Sequence, residues 1–167
     1  MDMISRNNLH TGPVMSAAKR ALDTGKVHYI LIWIPEESEN TLKNLLEKVC
    51  CERNIRRDAH DHIVDWYFET INRLHSVNYG PHNLNISTKA PEEKEIVFLV
   101  ERACESGNFK EITTVIPDTP AGEIRQRFND VMKKRNYGVE NIAAGRVYVS
   151  AFTDLIAFVN NLRSGSL

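Results

Sequence analysis

Apolar residues recur at helical spacing along most of the chain, and short segments rich in polar residues, glycine or proline separate these stretches. Apolar positions three, four and seven residues apart are the pattern of an amphipathic α-helix. The pattern predicts about eight helices and an all-α fold. They begin near Pro13, Val27, Ser38 and Arg57, and then near Pro91, Phe109, Ala121 and Val139.

The ends of the first predicted helix carry recognisable signals. Thr11 is expected to cap it, and Pro13 lies in its first turn, where the missing N–H costs nothing. Gly25 is expected to end this helix, and Gly107 the helix that begins near Pro91, as left-handed C-terminal residues.

Segment 27–34 is ambiguous, because its run of large apolar residues is also typical of a buried strand. The corresponding segment 109–116 alternates apolar and polar residues at helical spacing, which favours short helices ending before Pro35 and Pro117. A strand over 27–34 is the alternative.

The chain contains a signal of internal duplication. When it is shifted by 82 positions, residues 20–54 align with 102–136 without a gap. Nine pairs in these 35 positions are identical, where average composition gives about two by chance. The identical pairs are Arg20/Arg102, Ala21/Ala103, Gly25/Gly107, Ile30/Ile112, Ile34/Ile116, Pro35/Pro117, Val49/Val131, Arg53/Arg135 and Asn54/Asn136. We therefore expect two pseudo-repeated four-helix halves packed as one domain.

The predicted organisation follows from this repeat. Residues 1–10 form an N-terminal extension, 11–78 the first half, 79–88 a linker rich in turn-forming residues, and 89–165 the second half. The apolar stripe of the third helix is predicted to be Leu42, Leu45, Leu46 and Val49, matched later by Ile124, Phe128, Val131 and Met132. The fourth helix is predicted to bury Ile63, Trp66, Tyr67, Thr70 and Leu74 on one face, which Phe68 and Ile71 widen to more than one side.

Composition narrows the class of protein. With 42% hydrophobic residues and a net charge of −1, the chain is not disordered and lacks the basic excess of nucleic-acid-binding proteins. Its longest apolar run, Tyr29–Ile34, is too short for a membrane span, so no membrane partner is expected. Three cysteines without metal-binding spacing, and no signal-peptide core at the N-terminus, lead us to expect a cytoplasmic protein.

Several short motifs resemble an uncharacterised prokaryotic all-helical family of unknown function. They are Gly12-Pro13-Val14, Tyr67-Phe68-Glu69-Thr70 followed by His75, and Ala144-Gly145-Arg146-Val147-Tyr148. The resemblance implies a His-Cys-Asp element before the first helix and a histidine on each fourth helix, which looks like a metal or cofactor site. This chain has Arg6-Asn7-Asn8 in place of the first element and Ala157 in place of the second histidine.

The histidines supply the candidate site. All six precede residue 83, and no nucleotide-binding, hydrolase or metalloprotease motif is present. The sequence predicts a ligand-binding site at Tyr67, Glu69 and His75, and a metal site at His10, Glu69 and His75. Imidazole and carboxylate ligands would suit a transition metal. Glu69 and His75 lie six residues apart on one helix and need ligands from another helix. The alternative is that His75 is a helix C-terminal residue and Glu69 a solvated charge.

Three classes of function follow. The first is a protein that binds a metal ion or small ligand at the junction of its halves. The second is a protein-interaction or structural module such as a homodimer, and the third is an enzyme with a noncanonical site.

Overall fold

The structure is a computed structural model that describes residues 11–55, 60–116 and 121–165, and these ranges hold eight α-helices and no strand. The prediction of an all-α fold is confirmed. The helices are α1 Pro13–Thr24, α2 His28–Leu31, α3 Glu39–Ile55, α4 His60–Tyr79, α5 Pro91–Ser106, α6 Lys110–Val115, α7 Ala121–Lys134 and α8 Ile142–Ser164.

The signals at helix ends are confirmed at the C-termini and wrong at the first N-terminus. Helices α1 and α5 end at Gly25 and Gly107, whose φ values of 71° and 73° are left-handed. The N-cap position of α1 is occupied by Gly12 and not by Thr11. Pro13 in the first turn already removes one N–H that a cap would have satisfied.

The ambiguous segment 27–34 begins as a helix and contains no strand. Helix α2 covers only its first part, and a tight turn continues to Ile34. Every residue from Ile30 to Ile34 is nonetheless buried. Because these residues are buried on all sides, the segment has the apolar composition that is typical of a core strand. It forms no strand, so the strand alternative is wrong.

The chain divides into two compact units, Met1–Ser87 and Thr88–Leu167. In the first unit, α1 packs against α2, α3 and α4, and α3 packs along α4. The predicted stripe of α3 is buried throughout, with Leu42 and Val49 fully inaccessible and Leu45 and Leu46 nearly so. On α4 the predicted Tyr67, Phe68, Thr70 and Ile71 are buried together with His75, whereas Trp66, also predicted to be buried, is 46% exposed.

In the second unit, the long helix α8 packs against α5 and α7. Ile124, Phe128 and Val131 of α7 are buried, as predicted, and Met132 is half-buried. Among the described helices, α8 alone is long and apolar enough to cross a membrane, but 44% of its most apolar stretch is buried inside the protein. Burial against two partner helices is what the core helix of a globular unit shows.

The segment after α4 belongs to the core of the first unit. Leu84 and Ile86 are buried. The side chains of two asparagines, Asn83 and Asn85, hold the backbone of this segment in tight turns. Asn83 Oδ1 accepts from the Asn85 N–H at 3.0 Å, and Asn85 Oδ1 accepts from the Ser87 N–H at 3.2 Å. Segment 84–87 is therefore a fixed closing strap of this unit.

Gly12 is the point at which this strap meets the start of α1. Its φ of 97° favours glycine, and a Cβ atom on Gly12 would lie 2.5 Å from Ile86 Cγ1. We expect Gly12→Ala to destabilise the first unit by about 2 to 4 kcal/mol, because it adds both backbone strain and a steric clash. Urea unfolding followed by tryptophan fluorescence measures this unit selectively, since Trp33 and Trp66 both lie in it.

Gly25→Ala is the matched control for this prediction. Gly25 is also left-handed, but nothing lies within 4 Å of its added Cβ. It should cost only the backbone strain, about 1 kcal/mol. Equal losses in the two variants would contradict a close contact between Gly12 and Ile86.

Candidate functional site

Helix α4 carries the three predicted ligand-binding residues, and the structure separates them. Tyr67 and His75 are completely buried in the first unit, whereas Glu69 is exposed. The Tyr67 hydroxyl donates to the Ala18 carbonyl of α1 at 2.8 Å. Tyr67 and His75 thus serve the packing of α4 at two different points, and Glu69 faces away from both.

His75 joins three segments of the first unit. Its Nδ1 lies 2.8 Å from the Trp33 carbonyl oxygen, and its Nε2 accepts from the Leu84 N–H at 2.9 Å. Because a carbonyl only accepts and an N–H only donates, these partners require a neutral imidazole that carries its proton on Nδ1. The ring stacks on Tyr79 with centroids 4.5 Å apart, and Trp33 approaches its edge at 6.2 Å.

These hydrogen bonds bear directly on the predicted metal site. A metal on His75 would have to displace the Trp33 carbonyl or the Leu84 N–H from a ring nitrogen. Within the described ranges, no group of three His, Cys, Asp or Glu side chains is arranged to hold a metal ion. His10 lies outside the described residues, and the metal site stays a prediction.

A groove lies elsewhere in the first unit, where the ends of α1 and α3 meet. We call it the α1–α3 groove; it has a volume of about 650 Å³ and opens to solvent. Leu22 forms part of its wall, and its polar or exposed lining consists of Asp23, Thr24, Gly25, Cys50, Arg53 and Asn54. Sequence reasoning missed this site, although three of these residues, Gly25, Arg53 and Asn54, belong to the identical pairs of the predicted repeat.

Tyr67 lies close to the α1–α3 groove without being exposed in it. Burial raises the pKa of its phenol, and the Cys50 thiolate and the Asp23 carboxylate would oppose its ionisation further. The Cys50 thiol itself has a pKa raised by burial, with Arg53 acting in the opposite direction. The tyrosine and the thiol are therefore neutral at physiological pH, which leaves Asp23 and Arg53 as the charged groups of the lining.

Arg53 differs sharply from its counterpart 82 positions later. Arg135 Nη1 donates to the Cys104 carbonyl in the last turn of α5. Arg53 is half-buried as a residue, and within the described chain no hydrogen bond, ion pair or ring contact engages its guanidinium. A guanidinium has five N–H donors, and water or a ligand takes them where no protein acceptor does.

The second unit contains a partly buried acid, Glu101 of α5. Burial, reinforced by the neighbouring carboxylate of Glu105, raises the pKa of Glu101 to about 7. Burial also raises the pKa of Tyr148 to about 12 and that of the Cys104 thiol to about 11. All three shifts have the same first cause, the exclusion of water from the packing of α5 and α8.

Comparison with known proteins gives one match. A family model described as a family of unknown function (DUF6448) matches residues 11–158. Neither the curated proteins nor the solved structures yielded a match.

His75 supplies the first prediction from this site. We expect His75→Ala to destabilise the first unit by about 3 kcal/mol or more, because it leaves two buried backbone groups unpaired and opens a cavity. His75→Gln retains a donor and an acceptor and should lose clearly less. Urea unfolding by tryptophan fluorescence measures both variants, and equal losses would contradict a hydrogen-bonding role.

Glu101 supplies a prediction of pH dependence. Between its ordinary pKa and about 7, the folded protein holds a proton that the unfolded chain has released, so stability falls as pH rises through this window. Glu101→Gln removes that loss, and we expect it to stabilise the second unit at pH 8 more than at pH 4. Amide hydrogen exchange in α5 measures this difference, and a gain of the same size at both pH values would contradict it.

Proposed function

The chain belongs to DUF6448, a family of unknown function, and we propose that it is a small-ligand-binding protein whose site is the α1–α3 groove. The observation that carries this proposal is Arg53, a half-buried residue that lines an open groove and whose guanidinium has no hydrogen-bond or ion-pair partner in the described residues. A group of this kind is stabilised when a ligand supplies the missing acceptors.

This proposal moves the predicted ligand-binding activity from the His75 region to another part of the same unit. Both ring nitrogens of His75 already have backbone partners, so His75 acts in folding. Tyr67 keeps a supporting role, because its buried ring lies close to Cys50 and Asp23 of the groove. Homodimer formation and a noncanonical enzymatic activity stay predictions beside this proposal.

We also infer that the two units are copies of one ancestral sequence. Helix α1 ends at the left-handed Gly25 and α5 at the left-handed Gly107, and α2 begins at His28 and α6 at Lys110. The two members of each pair lie 82 positions apart, which is the offset of the sequence repeat (25 to 107, 28 to 110). Arg53 and Arg135 are then the same ancestral arginine in two environments.

A fragment titration tests the proposed site. Polar fragments of amino-acid size, added to ¹⁵N-labelled protein, should shift the backbone amides of Asp23–Gly25 and Cys50–Asn54. Asn54→Trp should abolish these shifts, because a bulky side chain at this exposed end of α3 fills the groove. Asn44→Trp, the same change at an exposed position of α3 outside the groove lining, should leave them intact. Absence of groove shifts with every fragment would refute the proposal.

A further inference from the structure

The charges of the α1–α3 groove indicate which small ligand it fits. Arg53 contributes a guanidinium and Asp23 a carboxylate. No ion pair joins the two side chains, and within the described residues neither has a hydrogen bond or ion pair with any other group. The groove therefore holds two opposite charges on the two helices that form it, and neither charge has a hydrogen-bond or ion-pair partner among the described residues.

Asp23 is not explained by the stability of α1. It lies one residue before the C-terminal end of this helix, where the helix dipole is negative and a carboxylate is unfavourable. The other polar group at this end, Thr24, is already satisfied, since its hydroxyl donates to the Arg20 carbonyl and accepts from the Lys26 N–H. A ligand that carries a cation would reverse the penalty on Asp23.

A ligand with a single charge does not match this groove. An anion held by Arg53 would also face the Asp23 carboxylate and the negative end of α1. A cation held by Asp23 would face the Arg53 guanidinium. Only a molecule with both charges satisfies the two groups at once, and the neutral Asn54 amide at the end of α3 adds both a donor and an acceptor.

We propose that the α1–α3 groove binds a zwitterionic small molecule of the α-amino-acid type. Arg53 takes the ligand carboxylate through its planar pair of N–H donors, and Asp23 takes the ammonium group. This inference rests on the proposed function, because it names the ligand class of the same groove. In the second unit Arg135 donates to the Cys104 carbonyl of α5 instead, so the proposal assigns the zwitterion site to the first unit alone.

Three related probes on the unaltered protein test the charge requirement. L-Alanine has both charges, N-acetyl-L-alanine lacks the ammonium group, and L-alaninamide lacks the carboxylate. In an NMR titration at pH 7, we expect L-alanine to shift the amides of Asp23–Gly25 and Cys50–Asn54. N-acetyl-L-alanine and L-alaninamide should each bind more weakly than L-alanine, by about tenfold or more, because one charged hydrogen-bonded contact is lost.

Variants then assign the charges to residues. Arg53→Gln and Asp23→Asn should each weaken L-alanine binding about tenfold or more. Arg73→Gln is the matched control, because it removes the same charge from an exposed position of α4 in the same unit. L-Alanine affinity should be unchanged in this control.

The outcomes separate this inference from the proposed function. N-acetyl-L-alanine binding as tightly as L-alanine would overturn the zwitterion proposal and leave an anion site at Arg53. Fragments that occupy the groove while L-alanine does not would also overturn it, and the α1–α3 groove would still be a ligand site. If neither fragments nor L-alanine shift the groove amides, both proposals fail.

Discussion

The imidazole of His75 is the interaction on which the first unit depends. Its two hydrogen bonds reach the Trp33 carbonyl after α2 and the Leu84 N–H of the closing strap, and its ring lies against Tyr79. Both backbone groups lie outside the helices, one in the turn after α2 and one in the closing strap. One neutral side chain thus supplies the donor and the acceptor that two buried irregular segments require, and the segments can leave regular structure without losing hydrogen bonds.

Much of the helical architecture could be predicted from the sequence, because helix periodicity and glycine ends are local signals. The stripe from Leu42 to Val49 and the left-handed Gly25 and Gly107 follow from spacing and backbone chemistry alone. The exposure of Trp66 on α4 could not be predicted in this way. This helix is apolar on several sides; Phe68 and Ile71 are buried as predicted, but only packing shows that Trp66 is partly exposed.

The candidate site was harder to predict than the fold, because it depends on which polar groups find partners. Arg20 and Arg102 are an identical pair of the repeat, yet Arg20 lies over the Tyr29 ring at 4.3 Å and Arg102 forms an ion pair with Glu111 at 2.7 Å. Tyr29 faces Arg20 and Glu111 faces Arg102. These two residues also lie 82 positions apart, and their different chemistry decides which contact each arginine makes. Arg53 and Arg135 diverge in the same manner, and periodicity contains no information about such partners. The bias of histidines toward the first half led to His75, whose two ring nitrogens have backbone partners in the first unit.

The closing strap also determines when, during synthesis, the first unit can complete its folding. The N–H of Leu84 completes the hydrogen bonding of His75, and Ile86 packs against Gly12 at the start of α1. During synthesis, the four helices of the first unit are therefore all made before the residues that seal their core. The ribosome must have released the chain past Ser87 before this unit reaches its full stability, and by then it has already begun to translate the second unit.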